Sequence, residues 1–137
     1  MPWEHFSHQA DMGIRGRGAS KEEAFEQAAM ALTAVITDPN NVEQRANITV
    51  QRDDADDELL FADWINALVY EMATRKMLFS RFHVEFVGHS LIGEAWGEPV
   101  DIGKHQPAVE VKGATYTALR VRQESDGEWI AQCVVDV

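Results

Sequence analysis

A chain of 137 residues with 45% hydrophobic and 26% charged content is long enough for one domain with its own core, and its composition is that of a globular protein. Twelve Lys and Arg against 23 Asp and Glu leave a formal net charge of −11, which repels phosphate backbones and argues against direct nucleic-acid binding while favouring a basic protein partner or divalent cations. No apolar run approaches the ~20 residues of a membrane span, no charged-then-apolar leader is seen, and the single Cys133 has no partner for an internal disulfide, so the expected setting is a reducing cytoplasm.

Trp3 to Ser7 reads as a short first strand. His8-Gln9-Ala10-Asp11-Met12-Gly13-Ile14 follows, with an imidazole and a carboxylate three residues apart ahead of Gly13, Gly16 and Gly18. The glycines place Asp11 at a bend and make Ile14 to Gly18 a weakened second strand. Their spacing is the reverse of a dinucleotide fingerprint and follows no long apolar strand, so it is read as turn chemistry.

Ser20 opens a helix, because Ser-x-x-Glu with Glu23 is a capping box. Phe25, Ala28, Ala29, Leu32, Val35 and Ile36 then recur at helical spacing, and Asp38-Pro39 ends the run. Asn40-Asn41 is a turn, and Ala46 to Arg52 a strand with Ile48 and Val50 inward. Asp53, Asp54, Asp56, Asp57 and Glu58 lack the glycine and ligand intervals of a calcium loop, so they are read as capping the next helix. That helix runs from Asp56 to Lys76 and carries a wide stripe of Leu60, Phe61, Trp64, Ile65, Leu68, Val69 and Met72.

The remainder reads as strands. Phe82, Val84 and Phe86 alternate with polar residues, Gly88-His89-Ser90 turns, and Leu91 to Glu98 returns. A loop from Pro99 to Pro107 carries His105, and Val109 to Val111 is short and apolar. Thr117 to Gln123 is a strand, Ser125-Asp126-Gly127 a hairpin turn, and Trp129 to Val135 the last strand, with Trp129, Ala131, Cys133 and Val135 on one face. Two main helices within a mainly antiparallel strand set give an α+β fold in a single compact domain, residues 1–137.

Asp136 and the carboxylate of Val137 close the last strand with several oxygens. Brought beside the Asp11 bend, they would form a cluster of three carboxylates that repels itself unless a hard cation neutralises it. Oxygen donors suit Ca²⁺, Mg²⁺ or Mn²⁺ over zinc.

The whole chain resembles the archease family. The matching features, in order, are His8-x-Ala-Asp11-x-Gly13-Ile14, Glu22-Glu23-Ala24-Phe25, Asp57-Glu58-Leu59-Leu60 with Trp64, Gly97-Glu98, His105, Lys112-Gly113-Ala114-Thr115-Tyr116 and Val134-Val135-Asp136-Val137. The resemblance implies an α+β domain that is not an enzyme but a protein activator of the RtcB-type RNA ligase of tRNA splicing and RNA repair, promoting its guanylylation and multiple turnover. It implies a divalent cation, Ca²⁺ ahead of Mg²⁺ or Mn²⁺, at Asp11, Asp136 and the Val137 carboxylate. Lys112 is carried over as a partner-contacting or functional residue, with His8 and His105 as matching positions of functional or structural role. Gln9, Gly113 and Thr117 stand where the family commonly has threonine, alanine and histidine, so no role is carried to Thr117. Two rival readings are a general chaperone, which would suppress aggregation of unrelated proteins, and a metal-dependent hydrolase, for which the chain offers carboxylates but no His-x-x-x-His spacing.

Overall fold

Alternation and helical spacing become strands and helices in the computed structural model, which describes residues 2–137. In chain order these are β1 (Trp3–His8), β2 (Asp11–Gly18), α1 (Lys21–Ile36), β3 (Ala46–Asp53), α2 (Asp57–Arg75), β4 (Met77–Val87), β5 (Ser90–Pro99), the short α3 (Ile102–His105), β6 (Gly113–Ala114), β7 (Arg120–Gln123) and β8 (Trp129–Asp136). All strand pairs are antiparallel. One sheet has the order β1-β2-β8-β6 with β7 also on β8, and the second has the order β3-β5-β4. Both long helices touch strands of both sheets, and the core lies among them.

Local chemistry sets the helix limits. The Ser20 hydroxyl accepts from the Glu23 N–H at 3.1 Å, and the Asp56 carboxylate accepts from the N–H groups of Glu58 and Leu59 at 2.8 and 3.2 Å. The acidic run before α2 therefore works as a cap. Helix α1 seats directly on β2 because Gly16 has no side chain: a Cβ there would stand 2.1 Å from the Ala24 carbonyl oxygen. Trp64 joins α2 to the rest of the core. Its Nε1 donates to the Phe25 carbonyl at 3.1 Å, and its ring covers Gly93 and meets Phe82 edge-on.

The register of the first sheet positions everything that follows. Gly113 pairs with Asp136 and Ala114 with Val135, but the next pair is Arg120 with Gln132. Residues 115–119 thus stand opposite only Val134 and Cys133, so the edge strand bulges by three residues between β6 and β7. Helix α2 covers this edge: Asn66 Oδ1 accepts from the Ala114 N–H at 2.9 Å and Glu58 Oε2 from the Val121 N–H at 3.3 Å. Edge amides that would otherwise invite another strand are taken up within the chain.

Several limits differ from the sequence reading. Asp11 is the first residue of β2, after a Gln9-Ala10 turn in which Gln9 takes φ 54. Helix α1 stops at Ile36, and Asp38 caps a separate short turn that begins at Pro39. Strand β4 begins at Met77, five residues before Phe82, because Lys76 itself takes the left-handed conformation that ends α2. The expected strand from Thr117 shrinks to β7 because of the bulge. Half-buried Trp129 and buried Ala131, Cys133 and Val135 alternate along β8 with Ile130, Gln132 and Val134, which are buried as well. No helix among the described residues is long and apolar enough to cross a membrane.

Candidate functional site

His8 pairs with Asp11 across the Gln9-Ala10 turn. The β2–β8 register runs from Gly18 opposite Trp129 to Met12 opposite Val135, and one further step sets Asp11 opposite Asp136. Asp136 in turn pairs with Gly113 of β6, and the Lys112 N–H donates to the Asp136 carbonyl at 2.7 Å. His8, Asp11, Asp136 and Gly113 therefore form one row across four neighbouring strands, at one end of the sheet. Directly opposed positions in such a ladder bring Cβ atoms within about 4.5–5.5 Å.

Alternation then assigns the face. Gly16 faces the backbone of α1, so the even positions of β2 are turned inward and Asp11, Arg15 and Arg17 outward. Arg15 Nε donates to Gln132 Oε1 at 2.7 Å, which puts the even positions of β8, Asp136 included, on the same outer face. The arginines of this face are already committed. Both pair with Glu4, at 3.1 and 2.8 Å, and Arg17 also pairs with Glu128 at 3.1 Å.

Asp11, Asp136, Val137 and Lys112 are exposed, and His8 is half-buried. Among the described residues, neither aspartate carboxylate has a hydrogen-bond or ion-pair partner. Two such carboxylates on opposed positions, neither ion-paired among the described residues, repel each other and would favour a hard positive ion between them, and an all-oxygen donor set suits calcium, magnesium or manganese. Among the described residues, no three His, Cys, Asp or Glu side chains are grouped to hold a metal.

His105 is elsewhere. It is 3% exposed, in α3, and its Nε2 faces Glu98 Oε2 at 3.0 Å while its Nδ1 accepts from the Asp101 N–H at 2.9 Å. That acceptor role at Nδ1 leaves the proton on Nε2, a neutral imidazole that donates to Glu98. Glu98, 5% exposed, also accepts from the Glu43 N–H and from Lys104 Nζ, each at 2.8 Å. The Glu43 amide, Lys104 and His105 together hold its carboxyl down to about 2. Sequence reading gave Glu98 no role, since one acid after a glycine carries no periodic signal. A cavity of about 410 Å³ opens nearby between the ends of α1 and α2, walled by Ile36, Val69, Met72, Met77, Val100 and Val109. Its lining is mainly apolar, with Lys76 and Glu110 as its charged members, and brings no carboxylate pair together.

Against known proteins, the model of the Archease protein family (MTH1598/TM1083) matches residues 3–137. The Protein archease of Pyrococcus furiosus is 37% identical over 139 aligned positions, covering 98% of each chain. The solution structure of Methanobacterium thermoautotrophicum protein 1598 superposes with a TM-score of 0.87 at 31% identity over 99% of both chains. The crystal structure of a Thermotoga maritima archease, described as a possible chaperone, has a TM-score of 0.64 at 17% identity over 98% of this chain and 96% of that one. The last likeness is one of fold.

Proposed function

We propose a function from one premise: the chain belongs to the archease family. On this reading it is a non-catalytic activator of an RtcB-type RNA ligase in tRNA splicing and RNA repair, and it promotes guanylylation of the ligase and repeated turnover. Asp11 and Asp136, with the Val137 carboxylate, hold one divalent cation, calcium ahead of magnesium or manganese. The observation that carries this reading is the register that sets Asp11 beside Asp136 on the outer face, with both carboxylates unpartnered among the described residues.

The residues have separate tasks. Strands β2 and β8 hold the two carboxylates in a fixed relation, so little ordering remains to be done when an ion or a partner arrives. When bound, the cation supplies a hard Lewis-acidic centre to oxygen ligands. Lys112, tied by its amide to the Asp136 carbonyl, sets an exposed ammonium-bearing chain beside the acids and meets the partner. His8 flanks Asp11 on β1. His105 acts from the interior, by fixing the segment between β5 and β6 through Glu98. The acidic surface docks on a basic cleft, with charge complementarity steering the encounter.

The test is a ligase guanylylation and turnover assay, with ligase below the RNA concentration, run with and without this protein. Wild type is expected to raise turnover. Asp11→Ala is expected to leave turnover at the level of ligase alone while melting at the wild-type temperature. Full activation by Asp11→Ala contradicts the site, and no effect of wild type contradicts the function. A chaperone reading, prompted by the description of the Thermotoga maritima protein, predicts instead that unrelated proteins are kept from aggregating, with Asp11→Ala as effective as wild type.

A further inference from the structure

The bulge between β6 and β7 is built with more hydrogen bonds than a chain reversal needs. Thr115 donates both its N–H and its hydroxyl to the Val134 carbonyl, at 2.9 and 2.8 Å. The Val134 N–H donates to the Thr117 carbonyl at 3.1 Å, and the Thr117 N–H donates back to the Thr115 hydroxyl at 3.2 Å. Gln132 Nε2 donates to the Ala118 carbonyl at 3.0 Å while its Oε1 is held by Arg15. Ala118 takes φ 54, a left-handed conformation that costs a non-glycine residue on the order of 1 kcal/mol or more.

One side chain in this segment has no role inside the molecule. Tyr116 is 71% exposed and makes no side-chain hydrogen bond among the described residues. The Gln132–Ala118 bond places the bulge over the outer face of the sheet, which is also the face of Asp11 and Asp136. A strained segment pinned at Thr115, Thr117 and Ala118 thus carries a single exposed aromatic ring, three residues after the Gly113 that pairs with Asp136 in the carboxylate row. Bulges of this kind re-aim side chains beside functional sites, and a rigidly held tyrosine loses little entropy when it becomes buried.

We infer that Tyr116 is the anchor of the protein–protein contact: it enters an apolar cleft, rimmed by basic residues, on the protein that the carboxylate row faces. This rests on the reading that the row meets a protein partner, the ligase, and adds the residue that supplies affinity. The charge of the chain selects that class of occupant. At a net −11, with two aspartates on the same face that make no ion pair among the described residues, the surface attracts a cationic protein rim and repels a nucleic-acid strand, although Lys112 and Arg120 stand four residues to either side of Tyr116 in the chain. Tyrosine at the centre of a contact is a common hot spot, for which truncation weakens binding by about 30-fold or more.

The experiment titrates full-length wild type, Tyr116→Ala, Tyr116→Phe and Asp11→Ala into the ligase guanylylation assay and measures both the half-saturating concentration and the plateau. Tyr116→Ala is expected to raise the half-saturating concentration about 30-fold and to reach the wild-type plateau, with an unchanged melting temperature. Tyr116→Phe keeps the ring and is expected to stay within about threefold of wild type, whereas Asp11→Ala lowers the plateau. An unchanged half-saturating concentration for Tyr116→Ala overturns the anchor while leaving the function standing. Wild type without effect overturns the function and the anchor with it. Binding of single-stranded RNA by this protein alone, lost in Tyr116→Ala, overturns the anchor in favour of a stacking platform.

Discussion

Cys133 sits on β8 with no exposed surface, and burial alone pushes its thiol up to about 12. The thiolate is the reactive form, so native protein is expected to resist dithionitrobenzoate at pH 8 and to label only at its unfolding rate. Rapid stoichiometric labelling of the folded protein would contradict that burial. The same strand carries Asp136 to the surface only three residues later. Individual residues of this kind were legible from sequence by type: an acid at a glycine-rich bend, an acid after an apolar strand, a lone cysteine. What the sequence does not contain is which acid faces which. That Asp11 and Asp136 are opposed follows from the pairing of β2 with β8, a contact between opposite ends of the chain whose register is settled by packing against α1.

Helix limits were legible because caps are local. Ser20 with Glu23, and Asp56 with Glu58 and Leu59, act within a few residues and can be recognised from spacing alone. The edge strand was not legible. Leu119 and Val121 alternate with arginines as a strand would, yet the first stretch of that alternation is spent on the bulge, and nothing local distinguishes the two. The beginning of β4 was hidden for a similar reason, since Met77-Leu78-Phe79 continues the apolar character of α2 and the break at Lys76 comes from a conformation that lysine seldom adopts. The approach of α1 to β2 gives an element-scale prediction. Gly16→Ala drives a methyl into the Ala24 carbonyl and the Ala28 amide, and overpacking of that kind costs about 1–3 kcal/mol. Urea denaturation should show the midpoint falling accordingly, and an unchanged midpoint would mean that the helix does not lie so close.

Across the whole molecule, besides the Arg15 and Arg17 pairs with Glu4 and Glu128, two electrostatic features of the acidic chain bear on stability and on the proposed site. One is internal: Glu98 binds together Glu43, Lys104 and His105, and so ties the segment before β3 to the segment after β5. Its carboxyl titrates near 2 in the folded protein against an ordinary 4.5. A depressed folded-state value means that its stabilisation is complete above pH 4.5 and disappears as the pH falls towards 2. Glu98→Gln is therefore expected to be less stable than wild type at pH 6, with the gap closing by pH 2. A gap that stays constant over that range would assign the loss to shape and not to charge. The other is external, the pair Asp11 and Asp136 at the end of the first sheet, unpartnered among the described residues, and the proposed activity depends on the two acting as a unit. The most direct measurement is a calorimetric titration of Ca²⁺ into wild type, Asp11→Asn and Asp136→Asn. The account predicts one site in wild type that either substitution removes; affinity in either variant equal to that of wild type would contradict it.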